Sequence, residues 1–182
     1  MPRIMKTDTH SEFNALFQIG REKGEKNDCS VKAVALITGK TYDEAHIELQ
    51  RRGRINRQGV QNNIILDAAA ALGEPTKRLL LKDVYHIIQS YPKPHYGLKN
   101  ITSHHPRRFP QIWSKAPDCL LFSNAHVAAF INGAVIDWSV NNVLRIVQIN
   151  YRERDEQKMM EFIEWVKSQR SADALRYWNV RD

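Results

Sequence analysis

Leu120-Leu121-Phe122-Ser123-Asn124-Ala125-His126-Val127-Ala128-Ala129-Phe130-Ile131-Asn132-Gly133-Ala134-Val135-Ile136-Asp137-Trp138 decides the fold class. Asn132-Gly133 between two apolar runs is a strong hairpin signal, because a type I′ turn needs positive φ at both central residues. A two-residue loop fixes the register: Ile131 opposes Ala134, Phe130 opposes Val135, Ala128 opposes Asp137 and His126 opposes Ser139. His126 and Asp137 then leave the same face as diagonal neighbours, with Cβ atoms within ~8 Å. Ala128, small and directly opposite Asp137, leaves that diagonal open. Trp138 falls on the opposite face, as core.

About a hundred residues earlier the chain runs from the polar stretch Gly20-Arg21-Glu22-Lys23-Gly24-Glu25-Lys26 through Asn27-Asp28-Cys29-Ser30 into Val31-Lys32-Ala33-Val34-Ala35-Leu36-Ile37. Asn27 and Asp28 are both good N-cap residues, and apolar positions recur at helical spacing until Gly39. Cys29 therefore starts a buried helix. There the aligned backbone dipoles and free N–H groups favour a thiolate and can lower a thiol pKa from ~8.5 into the reactive range. Free cysteines are also common as small buried hydrophobes, so a nucleophilic role needs a partner.

His126 supplies one. A carboxylate on one imidazole nitrogen fixes the tautomer and leaves the other nitrogen free to take a proton from a thiol. The chain thus offers nucleophile, base and orienter in the order Cys29, His126, Asp137.

Asn-Asp-Cys-Ser at a helix start, followed by His-Val-Ala-Ala-Phe-Ile-Asn-Gly-Ala-Val-Ile-Asp-Trp on a hairpin, resembles the small papain-like cysteine peptidases. The likeness is to the compact forms found in bacteria and their viruses, similar in plan to the double-glycine (bacteriocin-processing) peptidases, and it covers roughly residues 27 to 150. It implies a helical half carrying the cysteine, a curved antiparallel sheet carrying the histidine and the acid, and a cleft between them. Those peptidases usually have a glutamine five or six residues before the cysteine that donates into the oxyanion hole; here those positions are Gly24 and Lys23. Asn27, or failing that Gln18, is left to fill this role beside the backbone N–H of Cys29.

At 182 residues, 42% hydrophobic and 26% charged, the chain has the composition of one soluble globular domain. Its two cysteines, Cys29 and Cys119, show neither metal-ligand spacing nor a disulfide framework, which fits a reducing compartment. The N-terminal residues are not followed by an apolar signal core, and no run approaches the ~20 residues that span a bilayer. The expected location is the cytoplasm, a host's if the chain is virus-encoded, with no membrane contact.

Elsewhere the pattern is largely helical. Residues 7 to 20 hold Phe13, Leu16 and Phe17 at helical spacing, a structural helix beside the cysteine helix. Thr41-Tyr42-Asp43-Glu44 reads as a capping box opening a helix that ends near Gly53, with His46 half-buried on it. Residues 59 to 73 form a buried helix, 76 to 81 a first strand, 82 to 89 a further helix and 143 to 151 a last strand. Residues 153 to 170 form an amphipathic helix with Met159, Phe162, Ile163 and Val166 on one face, which should cap the sheet. The tail from 172 keeps Leu175, Tyr177 and Trp178 for docking. Cys119 begins a buried strand, as core.

The expectation is a single α+β domain over 1–182: a mainly helical half (7–91), an irregular loop (92–117), an antiparallel sheet (118–151) and a C-terminal helix (153–170). The loop is long for a compact domain, and such loops are often functional. Here it walls one side of the cleft, with Phe109 and Trp113 as substrate contacts. His95, His104 and His105 lie in it, but their spacing matches no common zinc pattern. No metal or other cofactor is expected.

Charge is uneven. Arg51 to Lys115 holds twelve Lys and Arg against three acids, while Tyr151 to Asp182 holds seven of each. Arginines near a helix C-terminus are favoured by its dipole. Beyond that, Arg51, Arg52, Arg54 and Arg57 are the candidate contacts for an acidic or nucleic-acid partner.

The leading functional expectation is a papain-like thiol hydrolase that cleaves a peptide or isopeptide bond in a protein or peptide substrate. Cys29 is the nucleophile, His126 the base, Asp137 its orienter, and Asn27 with the Cys29 N–H the oxyanion hole. The same triad would also serve an amidase or acyltransferase. From another class, the chain would be a catalytically weak binding module using its basic middle segment, or a purely structural component.

Overall fold

The structure, a computed structural model, describes residues 9–79, 115–123, 126–136, 148–165 and 168. Asp137, Trp138, Phe109, Trp113, His95, His104, His105, the helix expected at 82–89 and the tail from 172 lie outside the described residues.

Four helices come first: α1 (Thr9–Glu22), α2 (Cys29–Thr38), α3 (Tyr42–Arg51) and α4 (Asn62–Ala71). Each stops or starts where local chemistry dictates. α2 ends on Gly39, whose φ of 67° is the left-handed cap a Cβ would disfavour. α3 opens with the expected capping box: Thr41 accepts from the Glu44 N–H, and the Glu44 carboxylate accepts from the Thr41 N–H at 2.8 Å. α4 begins at Asn62, three residues later than the apolar pattern indicates, because residues 54–59 are committed to a loop with Arg57 at φ 64°.

The strands β1 (Thr76–Arg78), β2 (Cys119–Phe122), β3 (Val127–Ile131), β4 (Ala134–Ile136) and β5 (Gln148–Arg152) form one antiparallel sheet in the order β1-β5-β2-β3-β4. The β3–β4 register is the one the Asn132-Gly133 turn demands: Ile131 pairs with Ala134, Phe130 with Val135 and Ala129 with Ile136. Asn132 and Gly133 have φ of 48° and 79°, both positive as a type I′ turn requires. The turn is tied down. Asp118 accepts from the Asn132 N–H at 2.8 Å and pairs with Arg152 of β5 at 2.8 Å.

β2 is apolar at every position because both faces of the sheet are covered. Leu120 and Phe122, with Val127, Ala129 and Ile131 of β3, pack on Val31, Val34 and Ile37 of α2 and on Ala45, Leu49 and Ile65 of the next two helices. Cys119, Leu121, Phe130, Ile149 and Tyr151 face the other way, against Met159, Phe162 and Ile163 of a helix over 156–165, which follows a short turn of 3₁₀ helix, Glu153–Asp155. α2 makes its most extensive packing against β3. The result is an α+β sheet between two helical layers, and it brings the start of α2 to the start of β3. Among the described residues no helix is long and apolar enough to cross a membrane.

Gly133→Val should destabilise the protein by about 1–2 kcal/mol, the cost of a left-handed backbone for a residue with a Cβ. Asn132→Gly, which keeps the turn type, should stay within about 0.5 kcal/mol of wild type. Urea unfolding with an unchanged m-value checks both.

Candidate active site

Cys29 is the first residue of α2 and is half-buried. His126 stands just before β3, its carbonyl held at 2.8 Å by the N–H and at 3.2 Å by the hydroxyl of Ser123. Because α2 packs on β3, the imidazole reaches the thiol and hydrogen-bonds to it. Burial pushes the Cys29 thiol up. The hydrogen bond and charge of His126, together with the N–H groups of Val127 and Ser30, outweigh this and hold it below the ordinary thiol value. Cys119 is the contrast within the same chain: fully buried in β2 beside Asp118, its thiol is driven well above that value, as expected of a core cysteine. The pairing of Cys29 with His126 is therefore observed, whereas the orienter assigned to Asp137 lies outside the described residues.

The thiol opens onto a cleft of about 540 Å³ lined by Phe17, Arg21, Glu25, Lys26, Asn27, Asp28, Lys32, Gly59 and His126. Two buried acids flank the loop that delivers Cys29. Glu25 is 2% exposed at its side chain and takes Arg54 Nη2 at 3.1 Å, His46 Nε2 at 2.9 Å and the Arg57 N–H at 2.8 Å. Asp28 takes Lys32 Nζ at 2.7 Å and the Tyr42 hydroxyl at 3.0 Å. Tyr42 and His46 are one turn apart on α3 with their rings stacked, so a single helix face holds both acids. The Tyr42 hydroxyl, buried beside Asp28, is shifted well above the usual phenol value and stays a donor. Gly20 of α1 is part of the fit, since a Cβ there would collide with the Asp28 carboxylate.

Asp28 occupies the N-cap position of α2 but makes no side-chain cap bond, because Lys32 and Tyr42 hold its carboxylate elsewhere. The first-turn N–H groups consequently remain for other acceptors. Ser30 N–H is directed at the thiol, and the Cys29 N–H begins the helix without an acceptor inside it. Asn27 lines the cleft, its amide donating to the Arg57 carbonyl at 2.9 Å. Gln18 donates to Glu22 along the outer surface of α1 at 3.0 Å and does not line the cleft.

Two expectations need correction. Arg54 is not a contact for an acidic or nucleic-acid partner: its side chain is wholly buried, paired with Glu25 and donating to the Asn27 carbonyl at 3.4 Å. Its companions stay at the surface, Arg51 and Arg52 beside Glu48 and Arg57 donating to the Gly24 carbonyl at 3.0 Å. Second, α1 is more than a packing helix, because Phe17 and Arg21 line the cleft.

Sequence reasoning missed Phe17, Arg21, Lys26, Lys32 and Gly59 as cleft residues, and Glu25, Tyr42, His46 and Arg54 as its support. Only the Asp28–Lys32 pair had a local signal, an acid four residues before a lysine within an apolar helix. The groups of three or more His, Cys, Asp or Glu that would hold a metal are absent among the described residues. Compared with known protein families, with characterised proteins and with solved structures, the chain matches none of them.

Burial alone would raise the Glu25 carboxyl, but Arg54, His46 and the Arg57 N–H bring it down to about 2. The unfolded value is about 4.3, so Glu25 stabilises the fold above that pH and the contribution fades as pH falls toward 2. It amounts to about 3 kcal/mol at neutral pH. Urea titrations from pH 6 to pH 2.5 should show this loss in wild type and a flatter profile in Glu25→Gln, itself less stable by about 3 kcal/mol at pH 7 because Arg54 is left buried and unpaired. Gly20→Ala should displace Asp28 and slow Cys29 alkylation, as read by mass spectrometry.

Proposed function

We propose that the chain is a thiol hydrolase of papain-like plan, a cysteine peptidase that cleaves a peptide or isopeptide bond. The observation that carries this reading is the hydrogen bond between His126 and a cysteine thiol lowered below its ordinary pKa at the mouth of a cleft. Helices followed by an antiparallel sheet, with the cysteine on the first and the histidine on the second, are the order that plan requires.

In the proposed cycle the Cys29 thiolate attacks the carbonyl carbon, an S–C bond forms, and the carbonyl π electrons move to oxygen. The Cys29 N–H and the Asn27 amide stabilise that oxyanion. The C–N bond breaks as the His126 imidazolium gives its proton to the leaving amine, and a thioester remains. His126 then takes a proton from water, the hydroxide adds to the thioester, and the S–C bond breaks to release the acid and regenerate the thiolate. Asp137 is assigned in this scheme the role of orienting the imidazole. If an amine rather than water meets the thioester, the same residues perform acyl transfer. Against a binding module built on the basic segment stands the burial of Arg54, which is paired with Glu25 inside the fold.

The test is the rate of Cys29 alkylation by iodoacetamide against pH. Wild type should react rapidly well below pH 8, and His126→Ala should shift the profile toward the ordinary thiol value of ~8.5, slowing the reaction at pH 6 by at least ~10-fold. Asp137→Asn should move it in the same direction by less. An ordinary thiol profile in both wild type and His126→Ala would refute the hydrolase.

A further inference from the structure

Among the described residues charge is not balanced around the thiol. Of the two acids in the cleft wall, Glu25 is neutralised from behind by Arg54, and Asp28 by Lys32. Both carboxylates also take further donors, from His46 and the Arg57 N–H on one and the Tyr42 hydroxyl on the other. Arg21 and Lys26, in the same wall and exposed, have no acidic partner among the described residues. In the same wall is the Phe17 ring, 37% exposed, with the Arg21 guanidinium 5.9 Å and the Lys32 ammonium 4.8 Å from its centroid. An apolar face edged by cations takes a group that is itself apolar with a negative end. The described wall therefore carries two uncompensated positive charges next to the nucleophile, and a cleft lined by one sign of charge concentrates ligands of the other.

We infer that this cleft selects acyl substrates bearing a carboxylate close to the scissile bond, held by Arg21 and Lys26 beside the Phe17 ring. The inference rests on the proposed hydrolase site and names its substrate class. A carboxylate in that place is either an acidic side chain or a free chain terminus.

Two matched pairs of thiol reagents separate these. N-chloroacetylglycine and N-chloroacetylglycinamide differ only in a terminal charge; N-chloroacetylaspartate α-amide and N-chloroacetylasparagine amide differ only in a side-chain charge. In each, the thiolate displaces chloride and forms a thioether, so within a pair the ratio of rates is independent of how much thiolate is present. Each ratio at Cys29 is divided by that for N-acetylcysteinamide, which carries no charge besides its thiolate. At least one pair should favour the charged member, by roughly three-fold or more. The preference should shrink toward unity in Arg21→Gln/Lys26→Gln and, in wild type, in 0.5 M NaCl. Which pair shows it identifies the source of the carboxylate. Ratios near unity in both pairs, or a preference that survives both the double substitution and the salt, overturn the inference. At pH 9 even an ordinary thiol is largely ionised, so the ratios are read whether or not Cys29 is activated. Loss of activation counts against the hydrolase, and flat ratios count against the acidic substrate.

Discussion

The Glu25–Arg54 ion pair is the constraint on which the site depends. Both side chains are withdrawn from water, 2% and 0% exposed, and two charges that deep are tolerated only when paired and hydrogen-bonded. The carboxylate meets this condition by drawing in His46 from α3 and the N–H of Arg57 from the following loop. Arg54 then reaches on to the Asn27 carbonyl. Two segments distant in sequence, α3 and the loop after it, are thereby fixed against the five residues that precede the cysteine helix. A hydrophobic contact of similar area would hold them together but would not set the direction of the backbone, since apolar contacts are non-directional.

From that latch the rest of the geometry follows by packing. With the loop 24–28 held, α2 starts where Asp28 can turn inward to Lys32 and Tyr42, and its first N–H groups are left uncapped. The apolar side of α2 lies on β3, so residue 126, at the end of that strand, is carried to residue 29. Cys29 and Cys119 show how strongly setting governs a thiol. One meets an imidazole and two backbone N–H groups and is lowered, while the other is fully buried beside a carboxylate, effects that the charge of Arg152 does not offset, and is raised.

Charge counted along the sequence and charge counted in space differ for this chain. The basic run from Arg51 to Arg57 stands out in sequence, yet the fold buries Arg54 on Glu25, while Arg51, Arg52 and Arg57 stay at the surface beside Glu48 and the Gly24 carbonyl. Arg21 and Lys26 sit in a stretch that also holds Glu22 and Glu25, and in sequence it looks balanced. In space Glu22 bonds to Gln18 and Glu25 is consumed by Arg54, which leaves the two cations in the cleft.

Sequence by itself determined whatever depends on neighbours along the chain. The Asn132-Gly133 turn and its register, the Gly39 stop, the Thr41–Glu44 capping box, the start of a helix at Cys29 and the apolar strand at Cys119 all follow from backbone dihedrals and periodicity acting over a few residues. The pairing of Cys29 with His126 was expected from the chemistry of a thiol and an imidazole, but it is the packing of α2 on β3 that brings the two together. Tertiary structure alone decided which charges are buried and which face the cleft. Glu25 and Arg54 are 29 residues apart with no periodic relation, and their partnership exists only because α3 and the loop after it fold back over the segment before α2. Desolvation and ion pairing depend on distance in space, and for these residues no pattern in the chain encodes that distance.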